Sequence, residues 1–375
     1  MPALVALDRD GVRALGVDGE GVWSTPPEVA MPVEVHVAVT SQCAAGCEGC
    51  YLDARADGEH VPFAEVAEQL RALAAQGVFT VAFGGGEPTT RDDLGELGAL
   101  ARELGLVPVL TTSGLGLSAK KIARLSSFAQ INVSYDGIGD GYADVRGFDG
   151  AAHAERAIGA IAGAGLRVGV NVVLTRATFG ALEATVARAH ALGAREAQLL
   201  RYKPAGRAKS LDYLARRLSP EQRAELPAAL RRLALRPGAA DFRVRIDCAL
   251  VPFLSTDAEL YSRPGDLVAA GVLGCEAGAA LAAARVDGLL APCSFAEPSA
   301  ARTQDVGRDY AADATMRRYR EFAQSAPEPC ASCAIRAVCK GGCKIVSQYE
   351  GGFGPDPECL RVITASADAA IAPER

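Results

Sequence analysis

Aromatic residues are scarce in this chain, 6% of 375 positions with one Trp, so an interior of ordinary size has to be packed from the Ala, Val and Leu that dominate its 49% apolar content. No basic stripe is present. The net charge is −6 and Lys and Arg are scattered, which excludes nucleic acid or an anionic membrane as the main partner. Residues 1–22 carry Asp and Arg and lack the apolar core of a signal peptide. The most apolar stretch, 267–284, is interrupted by Glu276 and several glycines and falls short of a membrane span. A cytoplasmic location is the resulting expectation.

The widest gap is in cysteine. None occurs between Cys50 and Cys248, yet the chain has eleven. A reducing compartment excludes disulfides as their purpose. Three fall within 43–50 and seven within 275–359. That distribution fits two metal-binding regions separated by a cysteine-free scaffold.

The scaffold alternates short β-branched runs with Ala- and Leu-rich amphipathic segments. Strands are expected at 34–40, 79–83, 107–112, 131–135, 167–174 and 197–203, and helices at 63–76, 92–104, 154–164 and 181–192. Such alternation gives right-handed βαβ units on a parallel sheet. Six units make an α/β partial (β/α)6 barrel of TIM type, with chemistry at the C-terminal strand ends. The informative segments fall there: 43–50, 84–88, 111–114 and 136–137. A helical connector is expected at 220–235 and a further strand at 242–249. Beyond Gly274 the alternation stops, and Cys, Gly and Pro dominate to Cys359. A segment so poor in core residues needs metal to fold.

Cys43, Cys47 and Cys50 form C-x3-C-x2-C directly after the first strand. Three thiolates leave the fourth iron of a cluster open, whereas structural zinc takes four ligands in a closed site. A zinc loop stays possible on spacing alone. One βα unit later comes Gly84-Gly85-Gly86-Glu87-Pro88, whose glycines let backbone approach a ligand and whose carboxylate suits an amino group. Together these motifs resemble the radical S-adenosylmethionine (SAM) superfamily. The resemblance implies a catalytic [4Fe–4S] cluster on Cys43, Cys47 and Cys50, and binding of the SAM amino group by Gly85, Gly86, Glu87 and Pro88. It extends to Thr111-Thr112-Ser113-Gly114, where Ser113 stands for the usual Asn, and to Val133-Ser134-Tyr135-Asp136-Gly137. Ser134 and an Arg on the following helix, assigned to Arg156, are then implied to bind the SAM carboxylate. The residue before the third cysteine is Gly49 in place of the usual aromatic, and Tyr51 is the candidate to flank the adenine instead.

The C-terminal spacing, Cys275-x12-Gly288-x4-Cys293, then Cys330-x2-Cys333-x5-Cys339-x3-Cys343 and Cys359, resembles the SPASM extension with two auxiliary [4Fe–4S] clusters. Paired zinc knuckles are the alternative. The resemblance assigns Cys330, Cys333, Cys339 and Cys359 to a distal cluster and Cys275, Cys293 and Cys343 to a proximal one. Cys248 is either the fourth proximal ligand or a buried apolar thiol, or else the site is open to substrate. The expected organisation is an N-terminal arm or hairpin (1–32), a radical SAM partial barrel (33–215), a connector (216–264) and a SPASM domain (265–365).

What the resemblance implies is a 5′-deoxyadenosyl radical that starts oxidative modification of a ribosomally made peptide by crosslinking, desaturation or decarboxylation. Three [4Fe–4S] clusters and SAM are the expected cofactors, with a flavodoxin or ferredoxin as reductant. A barrel starting at Glu34 leaves no fused peptide-recognition domain, so a separate recognition protein is expected. In sulfatase-maturing relatives a general-base Asp follows the second SPASM cysteine, where this chain has Ser294. The competing readings are a small-molecule or tetrapyrrole enzyme, an iron–sulfur electron carrier, and a zinc scaffold.

Overall fold

The computed structural model describes residues 31–210 and 212–371, and the expected arm over 1–32 lies almost wholly outside them. Each expected strand forms within two residues of its expected ends: β1 (Glu34–Ala38), β2 (Thr80–Gly84), β3 (Val107–Thr112), β4 (Gln130–Ser134), β5 (Val168–Leu174) and β6 (Glu196–Arg201). The helices that accompany these strands include α1 (Phe63–Ala75), α2 (Leu94–Glu103), α3 (Ala119–Ala123), α4 (Asp140–Arg146), α5 (Ala151–Gly163), α6 (Leu182–Ala191) and α7 (Pro220–Leu235). The sequence reading missed α3 and α4, which are too short to show a periodic apolar face. At α7 the signals are strong: Ser219 and Gln222 form a reciprocal capping box and Pro220 starts the helix.

β1 to β6 pair in sequence order, all parallel. The further strand expected at 242–249 is β7 (Arg243–Ile246), parallel to β6. At the opposite edge β8 (Leu281–Ala284) pairs in parallel with β1, and β9 (Leu290–Ala291) returns antiparallel. The result is one nine-stranded α/β sheet, open at β7 and β9. The segment beyond Gly274 therefore contributes two strands to the barrel sheet before its irregular part begins.

Alternation along the strands divides the two faces. Val35, Val37 and Val39 of the first strand and its continuation are fully buried in one core with Val66, Leu70 and Leu73 of α1. Glu34 and His36 take the other face. The charge of Arg245 on β7 reaches Glu34 on β1, so the sheet curves enough to bring distant strands towards one another. Among the described residues no helix is long and apolar enough to cross a membrane.

Candidate functional site

The cysteine loop leaves the top of β1 and is fixed largely through its backbone. Cys43 N–H donates to Arg55 O (2.6 Å), and Arg207 N–H donates to Cys50 O (2.9 Å). The Arg207 guanidinium clamps the middle of the loop, donating to Cys47 O (2.8 Å), Ala54 O (2.8 Å) and Asp53 Oδ1 (2.9 Å). Gly206 has φ +56°, and a Cβ there would lie 2.5 Å from Cys50 O, so the close approach of these chains requires glycine. Burial pushes the Cys43 thiol up, with further rises from Glu87, Cys47 and Cys50, which places these groups within electrostatic reach of one another.

The glycine-rich loop packs against the chain that leads into Cys43. Gly86 N–H donates to Thr40 O (2.7 Å) and Glu87 N–H to Gln42 O (2.7 Å). A Cβ on Gly85 would meet Thr40 O at 2.3 Å, and one on Gly86 would meet Gln42 O at 2.1 Å. These two glycines admit the chain leading into Cys43; only Gly84 faces open space. Glu87 is likewise turned inward, 4% exposed. Its Oε1 accepts from Thr89 N (3.1 Å), Thr89 Oγ1 (2.7 Å) and Thr112 Oγ1 (2.7 Å). Its Oε2 accepts from Ser113 N (2.7 Å) and Ser113 Oγ (2.5 Å). Five donors fill the carboxylate, so here Glu87 and Ser113 brace the β2 loop against the β3 turn. Pro88 begins the short helical turn that Glu87 caps.

Ser134 ends β4 with its side chain 8% exposed. Two arginines follow β4, and their surroundings differ. Arg156 lies on the outer side of α5, exposed and bonded to His153 Nδ1 (2.8 Å), because Ala154, Ala157, Ile158 and Ile161 take the sheet-facing positions. The helix that immediately follows β4 is α4, and its last residue, Arg146, does face the cysteine loop. Arg146 Nε donates to Asp136 Oδ2 (2.5 Å), and Nη1 approaches Cys47 Sγ at 3.7 Å. Asp136 is fully buried and also accepts from Val173 N (2.9 Å).

Gly49 packs against Tyr202 at the end of β6, whose ring and hydroxyl lie 3.4 Å from the position of a Cβ at 49. Tyr202 thus fills the space beside the residue that replaces an aromatic. Tyr51 is partly exposed and packs one side of its ring on a neighbour. Its ring lies 4.5 Å from that of Phe295, two residues after Cys293.

The C-terminal cysteines fall into two sets. Cys330, Cys333, Cys339 and Cys359 line one pocket of about 370 Å³ with Pro252, Ser255 and Arg361. Burial and the neighbouring thiols push Cys330 up to about 11. In the other set Cys248 is hydrogen-bonded to Cys275. That bond holds Cys275 down at about 7, against the opposing effect of burial. Burial and then Cys275 push Cys293 up to about 12, and burial raises Cys343 to about 11. Cys248 therefore stands among the proximal cysteines rather than alone in the apolar core.

Charged groups that the sequence reading passed over hold this second set. Lys203 and Asp247 form a buried pair, and the Lys203 ammonium lies 4.4 Å from the centre of the Phe295 ring. Asp356 takes Arg201 Nη1 on Oδ2 (2.6 Å) and Nη2 on Oδ1 (3.1 Å), and Oδ2 also accepts Cys343 N–H (3.0 Å). Glu358 accepts from Tyr213 Oη (2.5 Å) and contacts Arg201 Nη2 (3.1 Å). Lys344, 2% exposed, donates to Gly341 O (3.0 Å) and Gly342 O (3.3 Å). Arg201 lies more than 150 residues before Asp356, so no local spacing joins them.

The donor sets suit iron–sulfur groups. Three cysteines share the first loop, four line the distal pocket and four gather in the proximal set. Among the described residues no three Cys, His, Asp or Glu side chains close on one point as ligands of a single metal ion do. Thiolates of a cluster each bind a different iron, so their sulfurs need not converge in that way.

Residues 37–189 match the Radical SAM superfamily. The chain carries a radical SAM domain. It is 28% identical over 372 residues to the PqqA peptide cyclase of Ruegeria pomeroyi, covering 92% of this chain and 94% of that one. With the mycofactocin maturase MftC of Mycobacterium ulcerans it shares 27% identity over 350 residues, 90% of each chain. Among solved structures, Streptococcus suis SuiB bound to the precursor peptide SuiA superposes with a TM-score of 0.71 at 18% identity, covering 88% of this chain and 76% of SuiB. The anSMEcpe structure with bound AdoMet gives 0.66 at 16% identity, covering 90% and 96%. The wider α/β fold is thus shared with these solved structures.

Proposed function

We propose that this radical SAM enzyme oxidatively modifies a ribosomally made peptide, by crosslinking, desaturation or decarboxylation, and carries three [4Fe–4S] clusters. The observation that carries the reading is the contact between cysteine regions: Tyr51 follows Cys50, and its ring rests on Phe295 beside Cys293. That contact supports placing the substrate in a gap beside the ring pair, between the first loop and the proximal set, where it would lose a hydrogen atom on one side and an electron on the other. When bound, the reduced cluster and SAM supply a 5′-deoxyadenosyl radical. The chain's own residues do the rest. Arg207 and Arg146 hold the cysteine loop, and the Glu87 braces fix the glycine-rich loop.

Relatives named for the PqqA and mycofactocin peptides, and SuiB with its precursor peptide, favour a peptide over a small molecule or tetrapyrrole. The domain limits proposed are a radical SAM barrel over 33–215, a connector over 216–264 and a SPASM domain over 265–365, its first hairpin continuing the sheet. A separate recognition protein and a flavodoxin or ferredoxin reductant complete the proposal. The test is anaerobic incubation of iron-loaded, reduced protein with SAM and synthetic peptides made from short reading frames flanking the gene. 5′-Deoxyadenosine with a peptide mass loss is the expected result. Exchanging Cys43, Cys47 and Cys50 together for Ala abolishes both and leaves iron in the other sets. Tightly bound zinc without SAM cleavage overturns the reading.

A further inference from the structure

Oxidation of a C–H bond with loss of two hydrogens has three bookkeeping entries. A hydrogen atom leaves from carbon, an electron leaves the resulting substrate radical, and a proton leaves from the neighbouring group as the new bond forms. Under the proposed function the hydrogen atom goes to the 5′-deoxyadenosyl radical and the electron to the iron–sulfur group of the proximal set. The proton requires a side chain beside that set, and none of the braces described above is free to take it.

One constellation meets the requirement. Ser294, next to Cys293, has its Oγ 2.7 Å from His36 Nδ1, and His36 Nε2 lies 2.9 Å from Glu34 Oε1. Glu34 and His36 are two apart on β1 and so share the inner face of the sheet. The loop Cys293-Ser294-Phe295 places Phe295 against Tyr51 of the catalytic loop and Ser294 against β1. The chain Ser294–His36–Glu34 thus runs from the edge of the gap into the barrel interior. It is open to that interior: the side chains of His36 and Glu34 are 39% and 42% exposed. The residues in register with His36 on either side, Ala82 on β2 and Ala283 on β8, are uncharged. Glu34 and Ser294 are therefore the groups that face it, with Arg245 acting on Glu34. A carboxylate on one nitrogen orients the imidazole and stabilises its protonated form, leaving the other nitrogen to exchange a proton through the hydroxyl.

We propose that His36, oriented by Glu34 and joined to the gap through Ser294, accepts the substrate proton in the oxidation. Resting on the peptide-oxidase reading, this gives the chain a base at the place where the sulfatase-maturing pattern has an Asp and this sequence has Ser294. Atoms and electrons balance: the substrate loses a hydrogen atom, an electron and a proton, and His36 becomes imidazolium before releasing the proton to water.

Two measurements test it on the iron-loaded full chain. The chain has four histidines, so in nitrogen-15 histidine-labelled protein the His36 signal is assigned by its loss in His36→Asn. Its nitrogen shifts should show Nε2 carrying the proton toward Glu34 and Nδ1 left to accept from Ser294, and Glu34→Gln should disturb that tautomer; a ring with its proton on Nδ1 overturns the proposal. In the peptide assay, His36→Asn should keep its iron content, its cluster spectrum and peptide-dependent 5′-deoxyadenosine release. Product formed per 5′-deoxyadenosine should fall by about 10²-fold. His36→Asn combined with Ser294→Asp should recover coupling, with the pH limb moved into the carboxylate range. A merely structural hydrogen bond would change iron content or stability and leave that ratio untouched. Unchanged coupling in His36→Asn overturns the role of His36 alone. A wild-type protein that releases no 5′-deoxyadenosine overturns the enzyme reading beneath it.

Discussion

Cys43, Cys47 and Cys50 sit in a loop fixed by backbone hydrogen bonds and two arginine clamps, whereas the C-terminal sets are woven around buried ion pairs. Arg201, Asp356 and Glu358 are each below 5% exposed, as is the carboxyl-bonded Arg223. Backbone clamps let a loop present thiolates to an exchangeable ligand while one side stays open. Buried charge networks instead demand that every partner be present, and they fix a centre that need not open. On the proposed function, the first architecture would belong to a site that turns over a cofactor and the second to sites that pass electrons.

The largest effect should come from breaking the buried network. Asp356→Ala leaves the Arg201 guanidinium without its bidentate partner and Cys343 N–H without an acceptor. The cost should be about 3–5 kcal/mol in chemical denaturation, with iron lost from the C-terminal sets and kept in the first loop. Equal iron loss from both regions would erase the distinction.

Gly86→Ala tests the other architecture and should cost about 1–3 kcal/mol. Because the added Cβ would lie 2.1 Å from Gln42 O, the loss should appear in metal-free protein without SAM. A glycine kept only for cofactor approach would leave metal-free stability unchanged and weaken SAM binding alone.

A pH titration tests the buried thiols without mutation. Cys293 is held at about 12 and Cys343 and Cys330 at about 11, above the ordinary thiol value of 9.0. Thiols raised in the fold contribute stability that is complete below the unfolded pKa and is lost as pH rises through the folded one. The denaturation midpoint of metal-free protein should therefore fall between about pH 9 and pH 11. Iron-loaded protein, whose thiolates are already ligated, should lack that fall.

How much of this was legible beforehand follows the length over which each signal acts. The strands and longer helices are written in runs of apolar periodicity, and the cysteine spacings are local, so both could be read directly. The close approach of the glycines at 85 and 86 to Thr40 and Gln42 could not be read in advance, because those partners are distant in sequence. The Ser294–His36 bond spans 258 residues and has no local trace at all. β8 was missed because four residues, Leu281–Ala284, look like part of a longer apolar run; only pairing with β1 makes them a strand.

Arg156 is the sharpest case, and its substitution should have the smallest effect. Chain order alone puts an arginine after the fourth strand at two places, Arg146 and Arg156. The longer helix makes Arg156 the visible choice, while α4, only seven residues long, hides the other. The side-chain environments decide between them. Arg156 is exposed and meets His153 on its own helix, whereas Arg146 joins buried Asp136 to the cysteine loop. Arg156→Ala should therefore change stability by no more than about 0.5 kcal/mol. SAM affinity of the iron-loaded protein, measured by equilibrium dialysis, should stay within about twofold, since no contact of Arg156 reaches the loop. Arg146→Gln should lower first-loop iron and SAM affinity together, because Asp136 would be left buried with its partner charge gone. If the two substitutions exchanged these outcomes, the carboxylate site would lie over α5 after all, and the open side of the cysteine loop would have to face that helix rather than α4.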